Sequence, residues 1–152
     1  MSARRARALV AAALVAVAAG AAANGLTGGD DAGAARDDVL GPGPVTVMVE
    51  IEHSRFSTDR VDVAAGTDVR FVLVNDDPIL HELVVGPPEV HARHADGTEA
   101  QHPPVPGEVT VEPGQIASTT YRFEEPGAVE FACHLPRHLE YGMVGKVVVH
   151  AA

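Results

Sequence analysis

The residues richest in chemistry in this 152-residue chain lie on one short stretch, Cys133-His134-Leu135-Pro136-Arg137-His138-Leu139-Glu140-Tyr141-Gly142-Met143. It holds the only cysteine, two of the eight histidines and a methionine five residues past the second of them. The spacing is C-x4-H-x4-M, with Pro136 and Gly142 marking turns. Thiolate and thioether are soft donors and imidazole is intermediate, so the set suits copper better than any hard ion. Two imidazoles and a thiolate in a plane, with a weak axial thioether, make a type 1 copper site. One imidazole is missing from the stretch, and His81 in Asn75-Asp76-Asp77-Pro78-Ile79-Leu80-His81 is the natural candidate. The expected metal ligands are therefore His81, Cys133, His138 and Met143, around one copper ion. Such a set lies between the preferences of copper(II) and copper(I), so its geometry changes little when an electron is gained or lost. Zinc is the competing occupant for a cysteine and two histidines.

Taken singly, a cysteine at a strand end is more often a small buried hydrophobe than a ligand, and a methionine after glycine is more often core. Their joint spacing with His138 and an upstream His81 reverses that reading. Four side chains from two distant segments then need stiff elements to hold them.

The chain provides strands. Val45, Val47, Val49 and Ile51 alternate with Thr46, Met48 and Glu50, the period of a half-buried strand. Short runs follow at Val61–Val63, Val69–Val74, Leu80–Val85, Val109–Val111, Ile116–Phe123, Val129–Cys133 and Lys146–His150, separated by turns such as Asn75-Asp76-Asp77-Pro78 and Glu125-Pro126-Gly127. About eight short strands parted by turns predict an all-β sandwich. The exception is a His-rich insertion, residues 88–107. Within it Glu89–Ala95 predicts one or two helical turns, with Pro88 at the start and Gly97 beyond the end. His91 and His94, at i and i+3, share a helix face and offer a second ion-binding pair; the plainer expectation is a solvated, loop-borne pair. His53, His102, His134 and His150 read as surface or packing residues.

Upstream of the strands, residues 1–23 have a basic start (Arg4, Arg5, Arg7) and then an apolar run of about 16 residues, short for roughly 30 Å of hydrocarbon. Ala21-Ala22-Ala23 offers small residues for cleavage before Asn24. This predicts a secretory signal peptide, with an uncleaved N-terminal anchor as the alternative. Residues 24–44, rich in Gly, Asp and Ala, read as a flexible linker, and residues 45–152 as the folded domain. The expected location is the periplasmic or extracellular face of the cell membrane, with no stable membrane insertion once the leader is cleaved.

The formal net charge is −10; without the leader, 21 acidic residues face 8 basic ones, a balance of −13. Such a surface repels phosphate backbones, which argues against nucleic acid as a partner, and it favours a basic or neutral protein. A lone cysteine excludes an intrachain disulfide.

At these residues the sequence resembles the cupredoxins, the small blue copper proteins, with a ligand loop most like that of rusticyanin. The likeness extends from Val45 to His150 through Phe56, Val61-x-Val63-x-x-Gly66 and Val69-x-Phe71-Val72-x-Val74-Asn75. It implies a Greek-key β-sandwich, single-electron transfer, and His81, Cys133, His138 and axial Met143 as ligands; nothing beyond that saturated set supplies an open coordination position or an acid–base pair, so no enzymatic activity is expected. It also implies redox protein partners docking near the edge of His138, inside an apolar collar of Leu135, Pro136, Leu139, Tyr141 and Val144.

Two departures stand out. Many cupredoxins follow the first histidine with Asn or Ser, which ties the ligand loops together; here Glu82 follows His81. Strand alternation sends Glu82 to the face opposite His81, which leaves that tie unassigned. In addition, Cys133-His134 resembles the type 1 centre of multicopper oxidases, but Ala132 stands on the other side and no His-x-His pair exists in the chain. A subunit or detached domain of a larger copper enzyme is therefore a third reading. The second is an extracytoplasmic copper-binding or copper-delivery protein that adds His91, His94 and His102 to the same ligands.

Overall fold

The period-two runs become strands in the computed structural model, which describes residues 39–97 and 105–152. They are β1 (Val45–Ile51), β2 (Arg60–Ala64), β3 (Thr67–Asn75), β4 (His81–Gly86), β5 (Glu108–Val111), β6 (Ile116–Phe123), β7 (Gly127–Ala132) and β8 (Val144–His150), with one helix, α1 (Pro88–Ala95), between β4 and β5. The expected leader, most of the expected linker and His102 lie outside the described residues. Among the described residues no helix is long and apolar enough to cross a membrane.

The strands form two sheets, of order β1-β3-β6 and β2-β8-β7-β4-β5. β1 runs parallel to β3 and β2 parallel to β8, while the remaining neighbours are antiparallel. Alternation decides what lies between the sheets. In β3, Val69, Phe71 and Leu73 are buried while Arg70 faces solvent. They meet Val49, Ile51, Val63, Leu83, Phe123, Phe131 and Val147 in one apolar cluster that also contains Cys133 and Met143. Phe71 anchors it, with its ring 6.4 Å from Phe123, edge-on, and 6.3 Å from Phe131. Before β1, Leu40 pairs with β2: its N–H donates to Asp62 O, and its carbonyl accepts from Ala64 N–H.

β4 departs from alternation, for all six of its residues are buried. One face meets the sandwich core. The other is covered by α1, whose helical start is set by Pro88 at the first turn. This corrects the expectation of a solvated histidine pair. His91 and His94 do share one face of α1, but that face is buried, at 8% and 5% exposure.

Register converts this architecture into a site. β7 lies between β4 and β8, with Ala132 opposite Val84 on one side and Val144 on the other. The chain leaves β7 at Cys133 and re-enters the sheet at Val144, so Met143 falls across from Cys133, whose N–H donates to Met143 O at 3.1 Å. His81 opens β4 at the same end of the sheet.

Gly145 is needed for this hairpin to close against the core. A Cβ there would overlap the Phe131 ring and stand 2.7 Å from Asp59 O. Gly145→Ala is expected to destabilise the domain by about 1–3 kcal/mol through overpacking, read from the midpoint of denaturant unfolding.

Candidate metal centre

Each candidate ligand is held by its own backbone device. His81 is fully buried, and its Nε2 lies 2.9 Å from Asp77 Oδ2. A carboxylate only accepts, so Nε2 carries the proton and Nδ1 carries the lone pair. That Nδ1 is buried with no hydrogen-bond partner among the described residues. Asp77 is positioned in turn by the N–H groups of His53 and Ser54, both at 2.7 Å, one on each carboxylate oxygen. Burial alone would raise the Asp77 carboxyl; the Ser54 and His53 amides and the His81 ring overcome it and leave it below its usual range. Asn75 fixes the start of the same segment. Its amide donates to Ile79 O, Val111 O and Glu112 O, and its side-chain oxygen accepts from Asp77 N–H.

The loop from Cys133 to Met143 is a series of tight turns. His138 N–H donates to Leu135 O, Gly142 N–H to Leu139 O, and Met143 N–H to His138 O. Gly142, at φ 91°, reverses the chain where a side chain would be strained. The turns bring His138 Nδ1 to 3.2 Å from Cys133 Sγ and stack its ring 4.8 Å from His81. The ligand atoms of His81, Cys133 and His138 all lie within 4.8 Å of one another, and they form the one such trio of His, Cys or carboxylate groups among the described residues. Met143 is fully buried in the cluster that holds Cys133.

This donor set fits a copper ion. A buried imidazole nitrogen with no partner is costly unless something cationic occupies its lone pair. The facing donors are a thiol and a second imidazole, borderline-to-soft groups that no hard ion prefers. Burial pushes the Cys133 thiol up to about 11, although the N–H groups of Glu82 and Leu135 point at the sulfur and favour its thiolate. Both imidazoles are pushed below their usual value. For His81 the cause is burial, partly offset by Asp77; for His138 it is burial and the neighbouring His81. The metal-free pocket thus holds a neutral thiol and neutral rings.

Glu82 does point away from His81, as alternation requires, and it makes the tie that alternation left unassigned. Its backbone N–H faces the Cys133 sulfur, and its carboxylate, on the far side of β4, accepts from His134 N–H at 2.8 Å. His134 is also more than a surface residue. Its Nε2 lies 2.8 Å from His91 Nδ1, and burial together with His91 and His94 pushes it down to about 4. Sequence reasoning missed Asp77 and Asn75, which read only as turn formers. The one signal for Asp77 was a carboxylate four residues before the candidate histidine.

Residues 44–150 match the model of the copper-binding proteins of the plastocyanin/azurin family. The chain belongs to that family. Its relatives include the copper-resistant cuproprotein CopI of Rubrivivax gelatinosus, 40% identical over 106 residues that cover 67% of this chain and 64% of that protein. The chain thus spans a little under two thirds of that relative. Among solved structures, dithionite-reduced auracyanin from Roseiflexus castenholzii superposes with a TM-score of 0.58 at 20% identity, covering 69% of this chain and 96% of its own. Reduced rusticyanin gives a TM-score of 0.50 at 16% identity, over 74% and 83% of the two chains. These likenesses carry the cupredoxin fold, which the family resemblance implied and which agrees with the all-β sandwich expected from the strand pattern.

Proton linkage follows from the shifts. The metal-free fold holds neutral histidines whose unfolded value is 6.5, so it loses stability as pH falls below 6.5. It holds a neutral thiol whose ordinary value is 9.0, so it also loses stability as pH rises from 9.0 towards about 11. Copper binding to a thiolate at pH 7 should release about one proton and strengthen about tenfold per pH unit between pH 7 and 9. Calorimetry in buffers of differing ionisation enthalpy checks this; no net proton release would mean that the sulfur is not a ligand.

Proposed function

We propose that this chain is an exported single-electron carrier, with one copper ion held by His81, Cys133 and His138 and Met143 as the axial ligand. The observation that supports it most is the partnerless, buried Nδ1 of His81 facing Cys133 and His138 within 4.8 Å. Copper bound there supplies a centre that passes between two oxidation states by one electron.

The chain's own residues supply stiffness and insulation. Asp77 keeps the proton on His81 Nε2, the Glu82 and Leu135 amides orient the sulfur, and the apolar cluster excludes water. Four donors fill the set and leave no open position for a substrate, which supports a carrier over an enzyme. Leu139 and Tyr141, both exposed on the loop that carries His138, support the collar reading for docking. His138 itself is 8% exposed, so a partner would meet only its edge. With residues 1–23 read as a leader, the carrier works outside the cytoplasm, and its acidic surface suits a basic or neutral redox protein.

A copper-binding or copper-delivery protein is the second reading. It is supported by the CopI relative, whose name is that of a copper-resistant cuproprotein, and by the buried His91 and His94 beside His134. Copper-loaded protein decides between them. A carrier is intensely coloured when oxidised, bleaches reversibly on taking up one electron, and keeps its copper in both states against a chelator. Ready loss of the ion on reduction would favour delivery.

Docking is tested at Leu139. Leu139→Asp should slow reduction by a protein partner about tenfold or more while leaving the visible spectrum intact, because truncating an interface anchor costs more than about 1 kcal/mol. An unchanged rate would remove Leu139 from the docking face.

A further inference from the structure

Asp77 sets a carboxylate 2.9 Å behind the His81 ring, and a second loop is bent to hold it there. The chain after β1 passes through His53 and Ser54 at φ 55° and 52°, left-handed values that residues with a side chain rarely adopt. Such a pair is strained and persists only where its surroundings fix it. Asp77 does so: the N–H groups of His53 and Ser54 donate to its two oxygens, each at 2.7 Å. From the other side, Asn75 Oδ1 accepts from Asp77 N–H at 3.0 Å. Two strained residues therefore serve one carboxylate.

Hydrogen bonding alone does not call for an acid here. A backbone carbonyl or an amide oxygen would accept the Nε2 proton and hold the same tautomer of His81. What a carboxylate adds is a full negative charge. Asp77 is 8% exposed, so solvent and salt screen that charge poorly. The His53 and Ser54 amides and the His81 ring N–H keep it ionised in place. Its field reaches both candidate imidazoles. Burial disfavours positive charge on the His81 and His138 rings, and Asp77 opposes that at each. Glu82, the neighbouring buried acid, aims its carboxylate instead at His134 N–H on the far side of β4.

We propose that the Asp77 charge sets the oxidation state that the centre prefers, favouring copper(II) over copper(I), and that the His53–Ser54 turn holds that charge against His81. The inference rests on the copper reading of His81, Cys133, His138 and Met143. Asp77 is a positioning residue, since it acts through the His81 ring. The oxidised centre carries one more positive charge than the reduced one, so a fixed negative charge stabilises it more. The carboxylate also draws on the Nε2 proton and makes Nδ1 the stronger donor, and nitrogen donation suits copper(II). Reduction adds one electron from a donor protein and oxidation passes it to an acceptor; the proton stays on Nε2 throughout. By linkage, the charge strengthens copper(II) binding more than copper(I) binding, by the factor by which it shifts the one-electron equilibrium.

Asp77→Asn tests this, because it removes the charge and leaves an oxygen to accept from Nε2. In the copper-loaded full chain it should keep the intense visible band, which shows the fold intact. It should shift the one-electron equilibrium towards copper(I) by about tenfold or more, or about 59 mV or more. Chelator competition should find copper(II) affinity falling about tenfold further than copper(I) affinity. Asp77→Ser, smaller and also neutral, should shift the same way. Asp76→Asn removes the same charge one residue away at an exposed site and should leave the potential in place. Nitrogen NMR of the metal-free chain reads the hold on His81 without copper: the proton should sit on Nε2 in the wild type and in Asp77→Asn. A wild-type proton on Nδ1, an unmoved potential in both neutral variants with the band intact, or an equal shift in Asp76→Asn would each overturn the proposal alone. A wild-type chain that shows no intense band with copper would overturn the carrier reading and this proposal with it.

Discussion

The site depends on one constraint, the pairing of β7 with β4 on one side and β8 on the other at a shared end of the five-stranded sheet. Ladder hydrogen bonds fix the ends of these strands to within a residue, because a one-residue slip would turn every core side chain outward. Phe131 and Val147 would leave the core, and Cys133 would move with them. A donor set drawn from two distant segments is therefore as stiff as the sheet that carries it. Only His138 relies on the loop alone, and there the chain of turns from Leu135 O to Met143 N–H replaces the ladder.

That stiffness is what the proposed carrier role requires, because such a centre must change charge without changing shape. The thiol and the two rings are neutral when metal-free, and all three are buried, so the pocket is prepared for a cation and unfavourable to hold empty. Asp77 contributes a formal negative charge beside His81, and three N–H groups satisfy it. The charge therefore orients the ring without needing solvent. A carboxylate left with fewer partners at that depth would itself take up a proton, and the ring would lose its fixed tautomer.

Much of this was legible beforehand. Strand positions followed from alternation in segments such as Val45–Ile51, where Val45, Val47, Val49 and Ile51 alternate with Thr46, Met48 and Glu50. The proximity of Cys133 and His138 could be anticipated from C-x4-H-x4-M, because donor softness and spacing are local properties, and His81 was the upstream candidate that the structure brings beside them. Tertiary facts were not legible. His91 and His94 looked solvated because a short, polar helix has no strong apolar stripe; it is buried by β4, which presents a second buried face. The same fact hid Glu82. Alternation correctly turned its side chain away from His81, but the link to Cys133 runs through its backbone N–H, a group that no side-chain pattern records. Asp77 was invisible for a related reason: Asp-Pro reads as a turn, and nothing in the turn says which ring its carboxylate faces.

The helix and the glutamate explain each other. A carboxylate that follows the first histidine must lie on the outer face of β4, where solvent would compete for His134 N–H and loosen the tie between the loops. α1 covers that face and partly buries the 2.8 Å bond. Covering it, however, buries a charge, and a buried carboxylate needs nearby donors. His94 stands 3.6 Å from Glu82 and also reaches Glu108, while His91 meets His134 on the neighbouring side. A glutamate beside the first ligand is thus accommodated under a lid, and the lid's histidines lie close to its carboxylate. The insertion between β4 and β5 and the residue beside the first ligand are thus matched, for the helix that covers β4 also carries the histidines that lie by Glu82 and His134.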